Sequence, residues 1–425
     1  MKSGAGPERL EDKSEPRGRM GAFRALHHRN YRLYFTGQLT SLAGTWMQSA
    51  AQAWLILKLT NSSFMLGVVS FAQFLPVLIV GLFAGVVVDR IDRRRMLMGT
   101  QTLLMLSAFT LAGLTWSGVV RPWHVIALAA FNGTISAFDM PGRQAFVVEM
   151  VGIEDLANAI ALNSMMFNSA RMLGPALAGI IIAWLGTGTC FFINGISFLA
   201  VIFSLYLMVI PPRTIAGAGE TMLKQLRAGL AYVRRHRRIS RHMMLASAAN
   251  GFGYQYLVLL PVFARDVLHG SARAYGFLLA ILGLGSVIGA ATLASRVSTK
   301  EIRNNLIAGL LVSAVGIAVF GLSPWLYLSL AAQMVIGAGL TNFRAGNTTL
   351  VQLALDNDLR GRVMSTYQLS AVGMTPIGAL TIGYLGEAIG PREAVSICAA
   401  VTLICGIAAL AGLKADDPLE SAAPG

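Results

Sequence analysis

The chain has 425 residues, 55% of them hydrophobic and only 13% charged, about half the charge of a soluble domain. This excludes a soluble globular protein, and without period-two alternation in the apolar runs a β-barrel is excluded as well. The formal net charge of +14 then reads as loop charge on one side of a membrane, not as a nucleic-acid surface.

Residues 1–30 are polar and have no apolar centre, which predicts a cytoplasmic tail rather than a cleavable signal peptide. Apolar runs long enough to cross a bilayer follow at roughly 31–57, 64–88, 96–116, 123–141, 160–184, 189–210, 242–264, 274–295, 303–322, 325–345, 363–386 and 391–413. Breakers separate them, among them Thr60–Ser63, Ser117-Gly118, Pro122, Pro211-Pro212, Ser323-Pro324 and Gly390-Pro391. The expected fold is an all-α integral membrane protein of twelve transmembrane helices in two six-helix bundles, 31–210 and 242–413. A connection at 211–241 joins them, and 414–425 forms a second cytoplasmic tail. The cysteines, Cys190, Cys398 and Cys405, suggest no disulfide, metal or cofactor framework.

With the N-terminus inside, 28 of the 34 Lys and Arg residues fall in cytoplasmic segments, five fall outside, and Arg171 lies within a span. That asymmetry sets the orientation. In the 211–241 connection, Met222, Leu223, Leu226, Leu230 and Val233 recur at helical spacing among Lys224, Arg227, Arg234, Arg235, Arg237 and Arg238. This predicts an amphipathic helix lying on anionic lipid of the inner leaflet.

A weak internal repeat runs at an offset of about 204 residues. Glu154–Ala157 before span 5 matches Asn357–Arg360 before span 11; Gly174 and Gly179 match Gly378 and Gly383; Gly142 matches Gly346. A duplicated bundle of this kind places a substrate site between its halves near the bilayer midplane.

The stretch AGVVVDRIDRRRMLMG, Ala84 to Gly99, gathers six charges into one turn between spans 2 and 3. Its pattern Gly85-x-x-x-Asp89-Arg90-x-Asp92-Arg93-Arg94 resembles the signature loop of the major facilitator superfamily, with Asp92 where that pattern prefers glycine. Pro141–Ala145, Leu156–Asn163 and Leu359–Ser365 resemble the branch that holds the enterobactin exporter and macrolide efflux proteins. The resemblance implies a monomeric secondary transporter in the bacterial cytoplasmic membrane, both termini inside, moving a small-molecule substrate against a coupling proton. It also implies that Asp89 latches span 2 to the start of span 11, with Arg90, Arg93 and Arg94 in support. The other reading of the turn is a topogenic charge cluster without a gating role.

In span 5, Gly174, Pro175 and Gly179 resemble the glycine–proline motif of exporters in this superfamily, which packs span 5 on span 8; Gly285 and Gly289 are the expected counterparts. Arg171 sits near the middle of the same span, where a guanidinium costs about 2.5–3.5 kcal/mol and usually faces a cavity. It is a candidate for binding an anionic group, reporting on a proton site, or making a structural ion pair. Asp139 is its nearest candidate partner and the candidate coupling carboxylate; capping with Arg143 is the alternative. By resemblance, spans 1, 4, 7 and 10 line the cavity, so Gln48, Gln52, Asn132, Asn250, Tyr254 and Gln255 are candidate substrate contacts. Interhelical hydrogen bonding is their other reading. Trp46, Trp54, Phe71 and Phe74 offer apolar surface to substrate, lipid or neighbouring helices.

The leading function is export of small amphipathic compounds, with import on the same fold as the alternative. A membrane-embedded enzyme is disfavoured because the six histidines are scattered over loops and span ends. No phosphate-binding G-x-x-x-x-G-K-[ST] loop occurs, which argues against an ATP-driven pump.

Overall fold

In the computed structural model the described residues are 19–209, 222–296, 298–355 and 357–414, and among them no strand occurs. A 3-10 segment, Arg19–His27, leads into α1 (Arg29–Thr60), α2 (Ser63–Arg90), α3 (Arg93–Trp116), α4 (Pro122–Val151), α5 (Leu156–Leu185) and α6 (Thr187–Leu207). After α7 (Met222–Arg235) the chain runs through α8 (Arg237–Ala248), a π turn at Ala249–Gly253, a 3-10 turn at Gln255–Leu259, α9 (Leu260–Val262) and a second π turn at Phe263–Val267. Then come α10 (Ala272–Ala294), α11 (Thr299–Leu322), α12 (Leu326–Leu353), α13 (Asn357–Ala388) and α14 (Pro391–Lys414).

Short polar caps make these tight connections possible. Ser62 accepts from the Met65 amide at the start of α2, Asp92 accepts from Arg95 at the start of α3, and Ser298 with Glu301 forms a capping box on α11. Gly186 joins α5 to α6 at φ +82°, a conformation that glycine adopts without a Cβ penalty.

Nine described helices are long and apolar enough to cross a membrane: α2, α3, α5, α6 and α10 to α14. The other three expected crossings differ for physical reasons. Helices α1 and α4 have the length, 32 and 30 residues, but carry polar groups such as Gln38, Gln48, Asp139 and Arg143 along it. The seventh is interrupted twice by π turns, and there the Gln255 amide donates to the Asn250 carbonyl (2.7 Å), pairing backbone that a regular helix would pair itself.

Helices α1–α6 pack among themselves, as do α8 and α10–α14; the principal seams between the halves are α2 on α13 and α5 on α10. All three glycine matches read from the repeat fall at equivalent crossings. Gly174 meets α1 at Ala43 and Trp46, and Gly378 meets the seventh crossing at Gly251 and Gln255. Gly142 faces α3 at Met96, and Gly346 faces α11 at Leu306. Gly179 touches Gly276 of α10, and Gly383 touches Gly67 of α2.

The expected span 8 counterparts are corrected by this packing. Gly285 and Gly289 lie against Met334 and Ala338 of α12, on the far side of α10 from the face that meets α5. The residues on α5 are Gly276 and Gly283, seven apart and therefore on one face. Helices α4 and α12 also run about ten residues past the ends read from hydropathy. Arg143, placed in a loop from the sequence, is thus inside a helix.

The 211–241 connection departs from a helix lying only on lipid. Helix α7 packs on α13 and α2, and Val233 is buried with Ile239, Val363, Tyr367 and Ala371. Arg234, Arg235, Arg237 and Arg238 remain exposed. Residues 210–221, the side chains of Met222, Leu223, Lys224, Leu226 and Arg227, and the tails 1–18 and 415–425 lie outside the described residues.

Candidate functional site

The ends of the bundle are chemically distinct. One end carries the α2–α3 turn and the arginines of α7 and α8. The opposite end is ringed by exposed Trp116, Trp123, Trp184, Trp325 and Tyr327, the amphipathic aromatics that settle at a membrane–water interface.

At the basic end, the Asp92–Arg95 turn is bonded to its own half. Arg93 Nη1 donates to Glu149 Oε1 of α4 (2.7 Å). Arg94 donates through Nε to the Leu205 carbonyl (2.7 Å) and through Nη2 to that of Tyr206 (2.7 Å), neutralising the carbonyl end of α6. Arg90 is exposed. Gly85 lies within α2, and the expected latch falls on the Asp89 side chain, which lies outside the described residues, as do those of Asn357–Arg360 at the start of α13.

At the aromatic end the seams between halves are closed. A Cβ at Gly67 would stand 2.6 Å from the Ala379 carbonyl oxygen, and one at Gly276 would stand 2.6 Å from that of Pro175. Glu387 at the end of α13 accepts from the amides of Ser63 (2.7 Å) and Phe64 (3.3 Å) and from the Ser62 hydroxyl (3.0 Å). A carboxylate of one half thus caps the first turn of α2 in the other, where the helix dipole favours negative charge. Arg265 donates to Asn61 across the same surface. Trp54 of α1 stacks on Tyr275 of α10 with centroids 5.9 Å apart.

Between the halves, Arg171 of α5 places its guanidinium carbon 5.9 Å from the Trp46 ring centroid, and Trp46 meets the edge of Phe167 at 5.6 Å. Arg171 is in electrostatic reach of Tyr254, Tyr256 and Arg344. Tyr254 donates its hydroxyl to the Leu340 carbonyl of α12 (2.9 Å), one turn before Arg344.

The remaining candidates lie elsewhere. Asp139 is not beside Arg171: it is 4% exposed, with Arg143 Nε 2.5 Å away and Thr100 and Gln101 both donating to its other oxygen (2.7 Å each). Arg143 in turn donates to Gln38 Oε1 (2.5 Å), so this ion pair sits within the α1–α3–α4 packing. Gln48 accepts from Asn194 of α6 (2.8 Å). Gln52 and Asn132 are buried. Asn250 donates to Ala246 within its own helix (2.8 Å), and Gln255 serves the broken seventh crossing.

A second buried polar cluster was not singled out from the sequence. Asn347 donates to the Tyr367 hydroxyl (2.9 Å) and the His242 carbonyl (3.0 Å), and its oxygen lies 2.6 Å from His242 Nδ1. The repeat offset carries Gln38 onto His242 and Arg143 onto Asn347. Extending the repeat beyond its glycines finds this cluster.

A bundle of two repeat-related halves, meeting through glycine crossings around charged residues in mid-span, is the architecture of a secondary transporter. Residues 20–421 match the family described as transmembrane secretion effector, and the chain belongs to it, within the major facilitator superfamily. It is 26% identical over 375 residues to the staphyloferrin A transporter of Staphylococcus aureus, covering 88% of this chain and 93% of that one. It is also 26% identical over 387 residues to the multidrug efflux pump Tap of Mycolicibacterium fortuitum, with the same coverage, 88% and 93%. Among solved structures, a bacterial homologue of the lysosomal transporter Spinster superposes with a TM-score of 0.72 at 12% identity, covering 91% of this chain and 97% of that one. The chain is a multi-pass membrane transporter and not an enzyme.

Proposed function

We propose that this transporter exports small amphipathic compounds across the bacterial cytoplasmic membrane by alternating access coupled to protons. The observation that carries this reading is the pair of glycine seams at the aromatic end, Gly67 on Gly383 and Gly179 on Gly276. Such flat crossings let two halves meet closely and part without unmaking a packed core. With the basic end cytoplasmic, this conformation is shut toward the outside. The relative named as a multidrug efflux pump supports the outward direction and the substrate range.

Asp139 is the candidate for coupling, because among the described residues it is the carboxylate buried within a helix. Protonation removes the charge that holds Arg143, and through it Gln38 of α1. When the outside opens, Asp89 closes the cytoplasmic side by capping α13, as Glu387 caps α2 here; slowed turnover of Asp89→Asn at unchanged protein level tests this latch. The exposed arginines of α7 and α8 meet anionic headgroups of the inner leaflet, and the unit is a monomer.

The test is substrate movement in inverted membrane vesicles with and without an imposed proton gradient. Accumulation of an amphipathic dye inside the vesicles, abolished by a protonophore, is expected. Movement in the opposite direction overturns export, and indifference to the gradient overturns the coupling.

A further inference from the structure

In the C-terminal half, α11 and α14 leave a groove of about 280 Å³ between them. Ala314, Ala318 and Ala399 lie in it, and the larger Val315, Leu322 and Leu403 that also line it are 62%, 67% and 41% exposed, so it opens toward lipid. Both walls run seven residues, Val315 to Leu322 and Ser396 to Leu403, about 10 Å at 1.5 Å per residue. Leu322 ends α11, three residues before the exposed Trp325 of the aromatic ring. The groove therefore starts at the membrane–water interface and ends within one leaflet of a hydrocarbon core about 30 Å thick. Its lining is apolar except for Ser396, whose hydroxyl already donates to the Arg392 carbonyl (2.8 Å). It offers a ligand no hydrogen bond, so what lies in it is hydrocarbon.

A cation stands at its mouth. Arg392 Nη1 donates to the carbonyl of Leu322 (3.1 Å), itself a lining residue, and Ser396 bonds back to the Arg392 backbone. Both neighbours of the arginine thus belong to the groove. Arg392 is partly exposed and makes no ion pair among the described residues; the adjoining Glu393 turns its carboxylate back to Gly390. A guanidinium has five N–H donors in a fixed fork. The part of it not spent on Leu322 is available at headgroup depth, where phosphate oxygens match it bidentately.

We propose that Arg392 and the α11–α14 groove form a site for an anionic phospholipid of the leaflet at the aromatic end. One acyl chain lies in the groove, and the phosphodiester meets the guanidinium. Shape and charge decide the occupant. Spread over its length, the groove has a cross-section of roughly 28 Å², about a third that of a helix 10 Å across, so a helix of a second copy does not enter it. A zwitterionic headgroup brings its own cation against Arg392, whereas an anionic one complements it. The lipid staples the ends of α11 and α14 away from the seams between the halves, α2 on α13 and α5 on α10. It therefore stabilises the C-terminal half whichever way substrate moves, and the site stands apart from the export reading.

The other half supplies the substitution that tests it. At the repeat offset Ser396 corresponds to Phe192 of α6, which packs on Phe109 and Trp116 of α3 with centroids 5.6 and 5.1 Å away. Ser396→Phe fills the groove with a ring that the equivalent crossing already accepts, and it leaves Arg392 in place.

The test is native mass spectrometry of the purified full-length protein released from a neutral detergent. The probes are palmitoyl-oleoyl phosphatidylglycerol, phosphatidylcholine with the same chains, and glycerophosphoglycerol, the headgroup without chains. Retention of phosphatidylglycerol is expected in preference to phosphatidylcholine, with no retention of the bare headgroup. The arginines of α7 and α8 also attract anionic lipid, so the readout is the difference between variants. Arg392→Gln and Ser396→Phe should each weaken one retained phosphatidylglycerol about tenfold, and the first loses a charged hydrogen-bonding partner. Lys58→Gln removes an exposed charge at the same end and should change nothing. Ala400→Phe, at an exposed lining position, replaces Ser396→Phe should that variant fail to fold. Unaltered retention in the groove-filled variant, equal losses in Arg392→Gln and Lys58→Gln, or equal retention of phosphatidylcholine overturns the proposal. So does equal retention of glycerophosphoglycerol, which would leave the groove without a role. A dimer that disappears in Ser396→Phe would assign the groove to a second copy and overturn it as well.

Discussion

Replacing Gly67 by alanine should open the aromatic end of the transporter. The new Cβ would stand 2.6 Å from the Ala379 carbonyl oxygen and 3.2 Å from the Cα atoms of Gly383 and Leu380. All three are backbone atoms that no rotamer change can move. Restoring ordinary contact requires α2 and α13 to separate by roughly 0.8 Å, and overpacking of this kind costs about 1–3 kcal/mol. The penalty falls only on the conformation in which the seam is shut, so the equilibrium moves by about five- to 150-fold toward the open seam. Ser63, 7% exposed at this seam, reports the change once the three native cysteines, all buried, have been replaced. In a Ser63→Cys background, labelling by an impermeant maleimide added from outside should accelerate by that factor. Gly81→Ala is the internal control: it lies on the same helix, and a Cβ there would have nothing within 4 Å. It should raise stability by about 0.5–1 kcal/mol and leave labelling unchanged. An unaltered labelling rate in a folded Gly67→Ala protein would refute the reasoning that the glycine crossing is the closed seam.

Glu387→Gln removes the charge from the cap on α2, worth about 1 kcal/mol at an exposed helix N-terminus, and should raise Ser63→Cys labelling about fivefold; a slower rate would contradict a latch. Asp139→Asn strands Arg143 in the α1–α3–α4 packing and should destabilise the protein by about 3–5 kcal/mol. Pairing it with Arg143→Gln should recover much of the unfolding temperature but not gradient-driven efflux, and recovery of both would remove Asp139 from coupling. Asn347→Ala deprives buried His242 and Tyr367 of their shared partner and should cost about 1–3 kcal/mol, read by thermal unfolding in detergent, with substrate range unaltered. Arg171→Ala should abolish transport at normal protein levels, and full efflux in that variant would leave the arginine a packing role only.

The helical bundle was legible in the sequence because its signal is additive: long apolar runs, breakers between them and basic residues on one side. The repeat was legible through Gly174, Gly179 and Gly142, since a helix crossing tolerates no Cβ and leaves its mark residue by residue. Helix ends were less so. A guanidinium at Arg143 or Arg344 ends an apolar run, whereas a helix continues wherever that charge is paired, as by Asp139, or reaches open space, as at Arg344. The counterparts of the span 5 glycines were misassigned to Gly285 and Gly289 because glycines recur on two faces of α10, and the partner of each face depends on rotation within the bundle.

Composition and hydropathy therefore determined the class of protein, and the spaced glycines the doubling of its halves, because each is a sum over many residues responding to the same solvent. The commitment of Asp139 to Arg143 and the capping of α2 by Glu387 were decided only in three dimensions. Each joins side chains from separate helices, and distance between helices depends on packing that no single segment encodes.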